Sequence, residues 1–191
     1  MNGSPQIDSQ IDVSVDRAFQ PDLPESWLGA AVKAALGVAL AEGERCQVSV
    51  LVTGDETVRR LNRDYRGLDE VTDVLSFSSS HAGRWQGEVD QPRVHRQSQG
   101  AGDELPFVYP PDEPPPLGEV VISYPQAQRQ ASASGQPLYQ ELAKLIVHGV
   151  LHLVGHDHLE PQEEAKMQAK ERAALAAIPV VAIPHIRTKI K

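Results

Sequence analysis

Apolar and polar residues alternate through "QIDVSVD" (residues 10–16), a period of two that predicts a strand with one buried face. The period lengthens to three and four in "PESWLGAAVKAALGVALAEG" (24–43), which predicts a helix with Pro24 near its start and Gly43 at its end. "CQVSVLVT" (46–53) is β-branched and nearly continuous, a second strand. Asp55 then reads as the N-cap of a helix through "ETVRRLNRDYR", with Val58, Leu61 and Tyr65 at helical spacing and Gly67 as its stop. "TDVLSF" (72–77) and "LGEVVIS" (117–123) predict two more strands. Three helices follow: "YPQAQRQASASG" (124–135), "PLYQELAKLIVHGVLHLVG" (137–155) and "PQEEAKMQAKERAALAA" (161–177). The last is acidic in its first turn and basic later, as the helix dipole favours, and Pro179 stops it.

Between the third and fourth strands, from Ser78 to Pro116, the periodicity disappears into prolines, glycines, serines and glutamines. So long a stretch without pattern inside a domain reads as a mobile insertion, too polar to bury a core of its own. The order β-α-β-α-β, insertion, β-α-α-α predicts a mixed α/β (α+β) fold: a small four-stranded sheet covered by about five helices. The 191 residues are expected to form one domain, 1–191, with the insertion at about 78–116.

Composition changes this picture little. The hydrophobic share of 40% is ordinary for a globular chain, and the net charge of −8 argues against wholesale coating of nucleic acid. Local charge differs from the mean. Arg59, Arg60, Arg63 and Arg66 cluster on one segment, and "PHIRTKIK" at the end carries Arg187, Lys189 and Lys191. Taken alone, each group is a solvated face or a solubilising tail. A single cysteine, Cys46, excludes an internal disulfide framework and a Cys-rich zinc module, and suits a reducing cytosol. The first residues lack a basic and then apolar leader pattern, and the longest apolar run, Leu145–Val154, is interrupted by two histidines. The expectation is a soluble, intracellular protein.

The chemistry concentrates in "HGVLHLVGHDH" (148–158). His148 and His152 are four apart on a helical pattern, so their imidazoles lean from consecutive turns toward one point. Gly155 can end the helix in a left-handed turn and swing His158 back as a third ligand. Three neutral imidazoles leave one tetrahedral position open, the arrangement of a catalytic metal site. Zinc is the first expectation, with nickel and copper also acceptable to imidazole. His156 is expected to pack in the turn. Asp157 is open between orienting a ligand histidine and bonding the turn backbone.

The spacing matches a zincin-like metal helix, but Gly149 stands where a metallopeptidase needs its glutamate general base. Met167 falls in a predicted helix and supplies no methionine turn. Peptidase chemistry is therefore disfavoured. A metal site without that carboxylate suits a phosphodiester, whose transition state gains negative charge and calls for a nearby arginine.

"HGVLHLVGHDH", together with "LNRDYRGLDEVTDVLSF" and "LGEVVIS", resembles the YbeY family of bacterial metal-dependent endoribonucleases linked to ribosomal RNA maturation. The resemblance implies one zinc ion on His148, His152 and His158, and makes Arg66 of the "YRG" segment the arginine facing RNA. It implies a single-strand-specific cytoplasmic enzyme acting on rRNA precursors at the 16S 3′ end. The ribosome or its small-subunit proteins are implied as partners, with no DNA and no membrane. Its alternative is a non-catalytic assembly factor whose zinc organises the fold. The chain departs from the family in having His156 where tyrosine is frequent, and in the length of its Pro-rich insertion.

Overall fold

The computed structural model describes residues 8–79, 113–156 and 160–179. Along the chain run β1 (Asp8–Val15), a 3-10 turn (Gln20–Asp22), α1 (Glu25–Ala39), β2 (Arg45–Thr53), α2 (Asp55–Arg66) and β3 (Val74–Ser78). Then come β4 (Pro116–Ser123), α3 (Tyr124–Ser134), α4 (Leu138–Leu153) and α5 (Pro161–Ala177). The expected mixed α/β fold is observed: four strands and five helices among the described residues. The sheet order is β1-β2-β4-β3, with β1, β2 and β4 parallel and the edge strand β3 antiparallel to β4.

Alternation decides which helix covers which face. Cys46, Val48, Val50 and Val52 of β2 and Val120 and Ile122 of β4 point into the larger core. There they meet Leu28, Val32 and Leu36 of α1, and Ile146, Val150 and Leu153 of α4. Ala127 and Ala131 of α3 and Met167 and Ala174 of α5 complete this layer. The alternate residues, Val121 and Leu75, face the other way and are covered by Val58 of α2, with Leu51, Leu61 and Phe77 around them. So α2 lies on one face of the sheet and α4 on the other.

Glycine sets the closeness of the layers at two positions. Gly118 has φ +145°, and a Cβ there would fall 2.2 Å from the Phe77 carbonyl oxygen and 2.9 Å from Leu153 Cδ2. Gly149 of α4 lies against the sheet, where a Cβ would meet Val120 Cγ1 at 2.6 Å and Ser76 Oγ at 3.1 Å.

Three boundaries differ from the sequence expectation. The N-cap of α2 is Gly54, and Asp55 is its first helical residue. The Asp55 carboxylate instead accepts from Ser123 Oγ and Arg129, tying the start of α2 to α3, whose first turn Ser123 caps by accepting from Gln126 N–H. The first helix stops at Ala39 because Leu40 is already extended, and Gly43 (φ +86°) serves the turn into β2. Ser78 and Pro116, expected to bound the insertion, are the last residue of β3 and the first of β4. Ser78 pairs with Gly118, and Ser79 N–H donates to Leu117 O, so the chain leaves and re-enters the sheet at one hairpin end. The expected mobile excursion itself, over 80–112, lies outside the described residues, as does the basic tail.

Candidate active site

Helix α4 buries one side against sheet and helices through Leu142, Ile146, Gly149, Val150 and Leu153. His148 and His152 fall off that side and remain half-buried, and His148 faces α5 and the start of β3. Their ring centroids are 4.5 Å apart and the planes are nearly perpendicular, at 80°. The two Nε2 atoms are 3.0 Å apart. His148 Nδ1 meets Glu171 Oε1 of α5 at 2.8 Å.

This contact fixes the imidazole chemistry. A carboxylate accepts only, so His148 carries its proton on Nδ1 and turns the lone pair of Nε2 toward His152. Two imidazole nitrogens on one tetrahedral zinc lie about 3.3 Å apart, from Zn–N bonds of about 2.0–2.1 Å. The pair is therefore near ligand spacing, and its donor set fits a divalent ion. Among the described residues no third His, Cys, Asp or Glu joins them as a three-membered set.

The end of α4 is built as expected. Gly155 adopts φ +85°, Gly155 N–H donates to His152 O at 3.0 Å, and His156 N–H to Leu151 O at 3.1 Å. This is a Schellman stop, and it turns the chain out of the helix immediately after the histidine pair. His158 and Asp157, the expected third ligand and its neighbour, lie outside the described residues. His156 is half-buried in the turn; burial, and then Lys170, hold its pKa below the ordinary imidazole value.

Gly149 gains a second meaning here. The position faces Val120 and Ser76, so no side chain, and hence no carboxylate base, fits there without moving the helix off the sheet.

Arg66 ends α2, on the opposite face of the sheet from the histidines, and is half-buried. The link between the two is the edge strand. Tyr65 rests against the Phe77 ring of β3, and the next residue, Ser78, donates from Oγ to the carbonyl of Leu153, the neighbour of His152. Of the other arginines, Arg59 is committed to Asp69 by two hydrogen bonds of 2.9 Å, and Arg63 to Asp64 at 3.1 Å.

Beside the histidines opens a cavity of about 450 Å³, walled by His148, Lys144, Asp73, Glu171 and Arg172 among others. Sequence reasoning missed Glu171. Its helix reads as a charged surface element, and the partner is 23 residues away. One signal was present: Glu171 falls four residues after Met167 and three before Ala174, the two positions that α5 buries.

A family model described as Endoribonuclease YbeY matches residues 13–179. The chain belongs to the YbeY endoribonuclease family. Among its relatives, the Endoribonuclease YbeY of Dehalococcoides mccartyi is 41% identical over 140 residues, covering 73% of this chain and 79% of the relative. That of Chloroflexus aurantiacus is 36% identical over 169 residues, covering 88% of this chain and 94% of the relative. A solution structure of TM1509 from Thermotoga maritima aligns over 88% of this chain with 20% identity and a TM-score of 0.48, too distant to bear on the site. The YbeY match runs through β2, α2, β3, β4 and α4, the elements that carry the arginine and the histidine pair.

Proposed function

We propose that this chain is a single-strand-specific, zinc-dependent endoribonuclease that trims ribosomal RNA precursors at the 16S 3′ end in the cytoplasm. The observation that carries the reading is the convergence of His148 and His152 through Nε2, at 3.0 Å, in a chain of the YbeY family. His158 completes the ligand set in this reading. Zinc bound by His148, His152 and His158 would supply Lewis acidity to a water and to phosphoryl oxygens.

The chain's own residues do the rest. Glu171 holds the His148 ring by its Nδ1–H, which keeps the metal-facing nitrogen deprotonated and the ring from swinging. Arg66, the last residue of α2, is the group this reading assigns to the phosphate next to the scissile bond, where a guanidinium stabilises developing charge through paired N–H donors. Gly149 leaves the site without a carboxylate base, which disfavours a peptide substrate. No helix among the described residues is long and apolar enough to cross a membrane.

In cells carrying His152→Ala or Arg66→Ala in place of the natural protein, 16S rRNA is expected to accumulate with unprocessed 3′ ends. Normal ends in both strains would remove this function. If metal removal lowered the melting temperature while Arg66→Ala left both RNA binding and maturation intact, the assembly-factor reading would replace it.

A further inference from the structure

The two large hydrophobic residues left open among the described residues are Tyr65, 63% exposed, and Leu68, 45% exposed. They flank Arg66 on either side in sequence. Tyr65 is exposed yet held: its ring meets that of Phe77 at a centroid distance of 5.1 Å and an interplanar angle of 64°. An edge-to-face contact of this kind fixes the ring and leaves a face open to solvent.

We infer that Tyr65 is a stacking platform for one unpaired nucleobase of the RNA strand, placed beside the phosphate that Arg66 contacts. This rests on the functional reading above and names a substrate contact which that reading does not contain. The placement supports it. Tyr65 lies over Phe77 near the end of edge strand β3, and the opposite face of that strand meets the end of α4 through Ser78 and Leu153. A single strand laid over the β3 edge passes Tyr65 on one side and the histidines on the other.

The patch also selects its occupant. Two exposed side chains, Tyr65 and Leu68, are far short of the roughly 800 Å² per partner that a stable protein interface covers. One open aromatic face, on the residue next in sequence to an arginine, offers base stacking within a nucleotide's reach of a phosphate contact. Because only an unstacked base can offer its face, the same residue favours single strands over duplex. Phe77 makes the platform rigid in advance, so little side-chain freedom is lost on binding.

The test is fluorescence anisotropy with a short labelled oligoribonucleotide, single-stranded or duplex, on the full chain with a chelator present so that the strand stays intact. Tyr65→Ala is expected to weaken single-strand binding about tenfold or more, in the range of base–aromatic stacking, while Tyr65→Phe stays close to the natural protein and duplex binding is unchanged. In a Tyr65→Trp variant, the emission added by the indole is quenched saturably as single-stranded RNA is titrated in. This second readout decides the matter should Tyr65→Ala fold poorly. Natural-like single-strand affinity in Tyr65→Ala, or an unquenched indole, overturns the platform while leaving the nuclease reading intact. Absence of RNA binding by the natural protein overturns both.

Discussion

Gly149, between the two histidines, removes the general base that a peptidase would need and also lets α4 approach Val120 and Ser76. Only the first of these was legible in the sequence, because the second depends on which face of α4 meets the sheet. Gly149→Ala is expected to destabilise the fold by about 1–2 kcal/mol, the overpacking penalty exceeding alanine's gain in helix propensity. Urea unfolding reads this directly. Glu171 was not legible as a site residue, since its partner is fixed by helix packing and not by spacing. For Glu171→Gln, zinc affinity measured by chelator competition should fall about 10- to 100-fold with the melting temperature little changed. Unchanged affinity would make the contact incidental. Tyr124 offers a pH test. Its hydroxyl is pushed up to about 12, first by burial and then by Asp22, to which it donates at 3.3 Å. A folded-state pKa above the ordinary value of about 10 gives stability that is complete below pH 10 and is lost as pH rises to about 12. Alkaline unfolding should therefore begin above pH 10, and Tyr124→Phe should delay it.

At the scale of elements, periodicity located the four strands and five α-helices among the described residues, and α5 agrees with its expected span of 161–177. The errors have physical causes. Asp55 carries the sequence signature of a cap, but a partner 68 residues away, Ser123, draws its carboxylate to α3. Gly43 is a turn residue and was read as a helix stop, because its positive φ suits either role. The glycine in "LGEVVIS" carries no local signal, yet at Gly118 strand β4 packs tightly against β3 and the end of α4. Gly118→Ala sets a side chain in a left-handed conformation against a carbonyl oxygen, and should cost about 3 kcal/mol or more. A chevron or equilibrium denaturation series would show it. A loss below that of Gly149→Ala would mean that the β3–α4 junction is looser than described.

The sheet order β1-β2-β4-β3 was beyond the reach of local pattern, and it is what gives the molecule its site. With β3 at the edge, α2, which ends in Arg66, lies on one face, and α4, which carries His148 and His152, lies on the other. The approach of His148 and His152 could be read from helical spacing. The placement of α2 and α4 on opposite faces of the sheet could not. The central claim is that this edge carries a metal-dependent nuclease, and the most direct measurement is cleavage of a single-stranded RNA ending in the precursor 16S 3′ sequence. Natural protein and His148→Ala are purified identically, loaded with zinc, and assayed for bound metal on the same samples. The account predicts one zinc per natural chain with cleavage of the single strand, and loss of both metal and cleavage in His148→Ala. Equal cleavage by the two preparations, or an intact strand after incubation with the zinc-loaded natural protein, would contradict it.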